Sequence, residues 1–457
     1  MSLLATPPSA MRPTFHIMTF GCQMNVNDSD WLARTLIQRG FIQSPLEEAG
    51  LVILNTCSVR EKPEQKVYSA LGRIARATRH NAKSFVALAG CVAQQLGEGV
   101  FDSFPQVRLV LGSDGLNFAP DAIERLRAEP DLRLCFTDFS DRYIERPLEI
   151  TPKTRPAKPV AFVNIMQGCD NFCAYCIVPL TRGSPKSRSV AAVLAECRAW
   201  LEAGAKEITL LGQNVNAFGQ DAAGTAGVGF AELLRRVAAL PGLARLRFVT
   251  PHPKDVSRQL IRAFGELEPL CPRLHLPLQA GSDRVLARMG RKYDRAHYLE
   301  LVRQLRAMRP DMAFSTDIIV GFPGEREEDF QDTLAIVEEV SFMSSFSFCY
   351  SDRPGTAAER LPDKLDAKAK LARLARLQAL QEKLSSVWLQ ERVGDDSVLL
   401  LEGASRKASN KGEAWQGRDP YGVPVNIVLP SGSAGVGDFM PVRITEAKKH
   451  SLLAVSA

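Results

Sequence analysis

Three cysteines fall within eight residues of QGCDNFCAYCIVPLTRG: Cys169, Cys173 and Cys176, spaced C-x3-C-x2-C. Structural zinc takes four protein ligands, often as paired C-x2-C knuckles, and no fourth Cys or His stands close by. Iron–sulfur clusters are also commonly held by four thiolates. Three thiolates on a cubane [4Fe–4S] cluster leave one iron without a protein ligand. That iron can bind a small molecule, so the missing fourth cysteine points to a coordination position kept for a substrate or cosubstrate. The plain alternative is a chance group of buried apolar cysteines.

Three further cysteines share a different pattern. Cys22 follows the apolar run TFHIMTFG, Cys57 follows LVILNT, and Cys91 follows SFVALAG. Strand carboxyl ends lie on one edge of a parallel sheet, where open α/β folds bind their ligands. Cysteines far apart in sequence can therefore meet there and hold a second cluster of the same three-thiolate type. Cys135, Cys197, Cys271 and Cys349 show no such pattern; Cys197, on an amphipathic helix, and Cys349, in a strand, read as packing residues.

Weaker signals come from glycines and histidines after other strand-like runs. LLGQNVNAFG places Gly212, Gln213 and Asn214 past one strand, and DIIVGFPGE places Gly321 and Gly324 past another. Glycine permits close backbone approach to a ligand, and Gln or Asn can bond its polar groups. A βα turn that needs glycine for geometry explains them equally well. His252 and His275 stand near strand ends, as site residues or as satisfied structural histidines.

The elements that must position these residues follow from periodicity. Residues 14 to about 125 alternate buried strands with helices, as a parallel-sheet α/β domain does. The helix in NDSDWLARTLIQRG is expected to be capped by Asn27 or Asp28. TPKTRPAKP, ending at Pro159, joins three prolines to three basic residues and reads as a linker. From 160 to about 350, six strand–helix units suggest a partial parallel barrel, with sites at the strand carboxyl ends. A long helix covers 363 to about 392. Four short strand-like runs after Gly394 suggest a small all-β barrel. The expected fold class is α/β, with domains at 13–130, 155–388 and 390–457.

Composition sets the outer bounds. Of 457 residues, 45% are hydrophobic and 24% charged, an ordinary globular mix. No apolar run is long enough to span a bilayer, and MSLLATPPSAMRP does not read as a signal peptide. A cytoplasmic protein with no membrane association is expected. Ten cysteines are too few for a disulfide scaffold, which favours metal ligands or catalytic groups. The net charge of +6 allows a polyanionic partner. Arg406, Lys407, Lys411 and Arg418 cluster near Trp415, a set able to contact phosphate and stack a base. The C-terminal module is otherwise balanced, with eight Lys/Arg and eight Asp/Glu from Glu391 onward. Arg73, Arg76 and Arg79 form a second basic patch. Either patch could equally be a solvated face.

With these motifs in place, the chain resembles the radical S-adenosylmethionine enzymes. The set TFGCQMN, NTCSVREKPEQKV, GCVAQQ, MQGCDNFCAYCIVPLTRG, LGQNVNAFG, RFVTPHPKD, LPLQAGSDRVL and STDIIVGFPGE is similar, in order and over nearly the whole chain, to the methylthiotransferases. The MiaB-type branch, acting on isopentenyladenosine in tRNA, is the nearest. The resemblance implies two [4Fe–4S] clusters. Cys169, Cys173 and Cys176 would hold the radical-generating one, whose open iron would chelate S-adenosylmethionine. Cys22, Cys57 and Cys91 would hold an auxiliary one that carries or supplies sulfur. It further implies a monomer, an electron donor, a sulfur source, and a TRAM-type RNA-binding β-barrel at the C-terminus. The chain departs from the family at Ser184 and Pro185, where charged residues are usual, and in SDRPGTAAER, which lacks a proline after Thr356. Sister enzymes acting on threonylcarbamoyladenosine in tRNA or on a ribosomal-protein aspartate share the six cysteines, but GCQMN and SVREKPEQK fit the first branch better. A non-catalytic iron–sulfur or zinc RNA-binding protein is the reading from another class.

Overall fold

The computed structural model describes residues 12–58, 63–81, 83–148, 150, 158–221, 225, 227–405 and 412–457. Two compact units divide at residue 140. The first holds strands β1 (Thr14–Thr19), β2 (Ile42–Gln43), β3 (Leu51–Thr56), β4 (Phe85–Gly90), β5 (Val107–Leu111) and β6 (Leu134–Phe136). They form one parallel sheet in the order β2-β1-β3-β4-β5-β6. Helices α1 (Gln23–Gln38), α2 (Pro63–Ala77), α3 (Cys91–Leu96), α4 (Val100–Ser103) and α5 (Ala119–Ala128) connect them. β3 and β4 are buried at every position, as expected of central strands covered on both faces. The short strands β2 and β6 were not expected; three residues or fewer give too little periodicity to read.

The start of α1 corrects the sequence expectation. Cys22, not Asn27 or Asp28, is the N-cap. Asn25, Asn27, Asp28 and Ser29 are buried within the helix. Asn25 Nδ2 donates to Asn55 Oδ1 at 2.8 Å and to the Thr56 carbonyl at 2.9 Å, and Asn55 Nδ2 donates to Ser29 Oγ at 3.0 Å. A tertiary polar network takes up side chains that would otherwise favour a cap.

The second unit opens with an incomplete barrel. Its strands are β7 (Val160–Asn164), then, after a small antiparallel hairpin of β8 (Met166–Gln167) and β9 (Lys186–Ser187), β10 (Glu207–Leu211), β11 (Arg245–Phe248), β12 (Arg273–His275), β13 (Ala313–Val320) and β14 (Ser344–Cys349). They lie in two parallel sheets, β7-β10-β11 and β12-β13-β14, joined by a bridge between Leu246 and Leu270. Among the described residues β7 pairs only with β10 and β14 only with β13, so the barrel is open between them. Helices α6 (Val178–Arg182), α7 (Val190–Glu202), α8 (Phe230–Ala238), α9 (Arg258–Glu266), α10 (Asp283–Arg288), α11 (Arg295–Met308) and α12 (Glu327–Val340) accompany these strands. Leu210, Leu246, Leu274, Phe314 and Ile318 share one core with Trp200, Leu234, Phe264 and Tyr298 from the helices. Burying each such side chain contributes about 1.5–3 kcal/mol.

α13 (Ala367–Glu391) ties this core to the last module: Leu377 belongs to the barrel core and Leu389 to the core beyond. That module is a closed antiparallel-dominated barrel of β15 (Asp396–Ala404), β16 (Glu413–Arg418), β17 (Pro424–Leu429), β18 (Phe439–Ala447) and β19 (Leu452–Ser456). The expected four strands become five because β16, EAWQGR, lacks an apolar run. The module docks at the amino-terminal end of the parallel strands. Arg245 donates to the carbonyls of Arg418 (2.8 Å) and Val398 (2.6 Å), and Arg273 to that of Tyr421 (2.9 Å). Arg247 bonds Glu207 at 2.8 Å. Burial, with repulsion from Arg247 and Arg418, lowers Arg273 to about 10. No described helix is long and apolar enough to cross a membrane.

Candidate active site

The C-x3-C-x2-C loop leaves the carboxyl end of the first barrel strand and is held on several sides. Gly168 starts it at φ +86°, and a Cβ there would stand 2.0 Å from the Ser184 carbonyl. Only glycine fits both demands. The Gly168 N–H donates to Gln213 Oε1 at 2.5 Å, and Cys169 N–H donates to the Gly183 carbonyl at 3.1 Å. In mid-loop, Ala174 N–H donates to the Met289 carbonyl at 2.8 Å, and its own carbonyl accepts from Ala358 N–H at 2.7 Å. Ala174 and Tyr175 pack on a cluster of Ala280, Leu286, Met289, Phe322 and Ala358.

Two N–H donors point at sulfur. Asn171 Nδ2 lies 3.5 Å from Cys169 Sγ, and Arg291 Nη1 lies 3.3 Å from Cys173 Sγ. Arg291 is itself pinned by the Pro277 carbonyl (3.1 Å) and the hydroxyls of Tyr175 (3.3 Å) and Tyr293 (3.1 Å). Burial pushes the Cys176 thiol up to about 12 and raises Cys169 as well. Binding a metal at these sulfurs therefore displaces protons, since the ligand form is the thiolate.

The other rim residues have defined partners. Gln213 holds the start of the cysteine loop, as above. Asn214 is buried; its Nδ2 donates to Asp255 Oδ2 at 2.8 Å and its Oδ1 accepts from His252 N–H at 3.2 Å. A Cβ on Gly212 would stand 2.7 Å from Met166 Cγ. Gly321 and Gly324 sit at φ +70° and +79°, backbone that favours glycine, with the flexible side chains of Lys370 and Arg288 against them. His252 is buried and its Nδ1 accepts from Lys254 N–H at 3.3 Å, leaving the proton on Nε2. Burial, with Arg291, Lys254 and Lys292 nearby, lowers it to about 2. His275 pairs with Asp317, Nε2 to Oδ2 at 3.3 Å.

In the first unit, Cys22, Cys57 and Cys91 stand at the carboxyl ends of β1, β3 and β4, three neighbouring strands. Thr56 and Gly90 are register partners, so Cys57 and Cys91 follow in step. A Cβ on Gly21 would stand 2.6 Å from Cys57 Cβ, which places the Cys22 turn against Cys57. Gly90, at φ +89°, passes so close to the Thr56 carbonyl that a Cβ would come within 2.3 Å. Cys22 Sγ donates to Asn25 Oδ1 at 3.3 Å. Among the described residues, no three His, Cys, Asp or Glu side chains are close enough to hold a single metal ion.

Of the basic candidates, Arg406, Lys407 and Lys411 lie outside the described residues. Trp415 packs on the core of the C-terminal barrel, and Arg418 bonds Glu402 Oε1 at 3.1 Å and the Gly422 carbonyl at 2.9 Å. Arg73 and Arg76 on α2, and Arg79 just beyond its end, are exposed, whereas Val67, Ala70, Leu71 and Ile74 of α2 are buried. Arg291 and Asn171 were not read as site residues. Asn171 stands inside the motif and was open to inspection. Arg291 is 118 positions from the sulfur it touches, and no local pattern marks it.

The fold and the cysteine loop define a radical S-adenosylmethionine protein. Residues 163–337 match the family described as the Radical SAM superfamily, and residues 14–112 match the uncharacterized protein family UPF0004. The fold resembles the radical S-adenosylmethionine methyltransferase TsrM from Kitasatospora setae, solved with cobalamin and a [4Fe-4S] cluster, at a TM-score of 0.55 and 15% identity over 76% of this chain and 77% of that one. Chemistry by a [4Fe–4S] cluster and S-adenosylmethionine goes with this superfamily. Over 444 residues the chain is 63% identical to the tRNA-2-methylthio-N(6)-dimethylallyladenosine synthase of Nitratidesulfovibrio vulgaris (strain DP4), covering 97% of this chain and 98% of the relative. It is 56% identical over 451 residues to the enzyme of that name from Lawsonia intracellularis (strain PHE/MN1-00), covering 97% and 99%. The chain belongs to the tRNA-2-methylthio-N(6)-dimethylallyladenosine synthase family. Dimethylallyl and isopentenyl name the same substituent.

Proposed function

We propose that the chain is a transferase that places a methylthio group on C2 of N6-dimethylallyladenosine beside the anticodon of tRNA. The observation that carries this is the 63% identity across 97% of the chain to an enzyme of that name. When bound, the cluster and S-adenosylmethionine supply one-electron, carbon-radical chemistry, which an aromatic C–H too weakly acidic and nucleophilic for polar substitution requires.

Cys169, Cys173 and Cys176 are assigned to the radical-generating cluster. Their fit rests on the donor set: three thiols on one fixed loop, with N–H groups of Asn171 and Arg291 directed at two of the sulfurs. Cys22, Cys57 and Cys91 are assigned to a second [4Fe–4S] cluster that carries or supplies the sulfur. A single tetrahedral ion needs sulfurs about 3.8 Å apart, from bonds of about 2.3 Å. A cubane holds its thiolates around its own bulk, farther apart than a single tetrahedral ion does. S-adenosylmethionine is assigned to the turns at Gly212, Gln213 and Asn214 and at Gly321 and Gly324, which stand at strand carboxyl ends as ligand-binding turns do. This chain's residues fix the cysteine loop, keep water from Cys173, and hold a positive charge beside its sulfur. The tRNA is assigned to the exposed arginines of α2 and to the C-terminal barrel, read as TRAM-type. An electron donor and a sulfur source complete the reaction, in a cytoplasmic monomer.

Mass spectrometry of tRNA nucleosides from cells lacking this gene tests the activity. The 2-methylthio derivative should vanish and N6-dimethylallyladenosine accumulate. An unchanged nucleoside, with a ribosomal protein losing its mark instead, would assign the chain to a sister branch. Replacing Cys57 by Ala should cut iron from about eight to about four per chain, with the remaining iron lost only when Cys173 is also replaced.

A further inference from the structure

The inner face of the barrel carries an apolar stripe that the reaction as described does not use. On β13, Phe314, Ile318 and Val320 point into the core beneath the helices. Their neighbours Ser315, Asp317 and Ile319 point to the opposite, concave face. In register with them on β14 stand Ser344, Phe346 and Phe348. Phe346 is 58% exposed and Phe348 36% exposed. Strands inside a parallel barrel normally bury such rings against each other.

The stripe is continuous with the site. Phe346 meets the His275 ring edge to face, centroids 6.1 Å apart, and His275 pairs with Asp317. Ile319, the register partner of Phe348, packs on the same cluster that supports Ala174 and Tyr175 of the cysteine loop. β14 is also the edge strand of its sheet, so among the described residues no further strand closes over the stripe.

We propose that Phe346 and Phe348 form the subsite for the dimethylallyl group of the target adenosine and set the preference for a prenylated base. This rests on the function proposed above and deepens it. RNA offers charged phosphates, polar sugars and polar-edged bases. The dimethylallyl group is the part of the substrate with no polar atom, and an exposed phenylalanine pair gains most by covering a group of that kind. Asp317, in register with Phe346, and His275, held by Asp317 and Ser315, set a polar edge beside the rings.

The test uses two anticodon stem-loop RNAs that differ only in the N6-dimethylallyl group, titrated against the full-length holoenzyme by fluorescence anisotropy. The wild type should bind the prenylated RNA at least about tenfold more tightly, since even a single methylene in an apolar pocket is worth about that much. Phe346→Ser with Phe348→Ser should bring the ratio to about twofold or less, with affinity for the unmodified RNA unchanged. Phe346→Leu with Phe348→Leu keeps apolar surface and should retain most of the preference. Phe346 is more than half exposed but Phe348 is mostly covered, so the leucine variant, which keeps the apolar contacts, is the control for any fall in melting temperature of the serine variant. Equal loss of affinity for both RNAs would show that the rings stack on the base or contact the RNA generally, and would overturn the proposal. So would an unchanged ratio in the serine variant. Failure of the functional reading has a separate signature: no methylthiolation of prenylated tRNA by the wild type.

Discussion

Arg291→Met removes a buried positive charge beside one cysteine while keeping most of the side-chain volume. The Nη1 atom lies 3.3 Å from Cys173 Sγ. Adding a metal–sulfur bond of about 2.3 Å and the half-width of a cube puts the guanidinium about 7 Å from the centre of a cluster held there. Reduction adds one negative charge to that cluster. At an effective dielectric near 20, its attraction to the guanidinium is about 2.4 kcal/mol, equivalent to about 100 mV for a one-electron couple. Removing the cation disfavours the reduced state, so the potential should fall by about that much. The assay is a redox titration followed by electron paramagnetic resonance, in a background with Cys22, Cys57 and Cys91, the residues proposed above for the second cluster, replaced by Ala. Arg291→Lys keeps the charge but loses the fork that also reaches Tyr175, Tyr293 and Pro277, and should shift the potential by less than half as much. A Met variant with full iron occupancy and a shift under about 30 mV would refute the electrostatic role. Equal shifts in the Lys and Met variants would assign the effect to loop geometry instead of charge.

Arg245→Met should weaken the docking of the C-terminal barrel. It removes the side-chain donor to the carbonyls of Arg418 and Val398, at a cost of up to about 6 kcal/mol for the two, read as a lower melting temperature and faster proteolysis within residues 392–457. His252 should make the protein acid-sensitive. Its folded-state value of about 2 lies below the ordinary unfolded value near 6.5, so the unfolded chain binds the extra proton and stability is lost as pH falls below about 6.5. The loss grows by about 1.4 kcal/mol per pH unit, and His252→Asn should flatten the dependence of denaturant midpoint on pH between 6.5 and 4.5. An equally steep dependence in the variant would assign the acid sensitivity elsewhere.

The C-x3-C-x2-C loop was legible as a motif because its spacing is local: the three cysteines lie within eight residues. The common placement of Cys22, Cys57 and Cys91 was legible for a different reason. Parallel strands end on one edge, so three cysteines that each close an apolar run must share that edge, as β1, β3 and β4 do. The alternation of strands and helices likewise announced both α/β units, since period and burial are coupled residue by residue. Short or polar strands escaped, because β2, β6 and β16 have no apolar run to mark them. Asn27 and Asp28 look like the start of a helix, yet they are buried in one already begun.

What only the tertiary structure decided is which side chains face the cysteines and which face the open lumen. Arg291 reaches Cys173 across 118 positions, and Gln213 holds Gly168 across 45. Phe346 and Phe348 read as ordinary strand residues; their exposure follows from β14 being the last strand of a barrel that does not close. Local patterns encode which residues prefer an edge, a core or a turn. Distances between those places depend on how the strands are ordered and where the barrel stops, and those are properties of the assembled sheet.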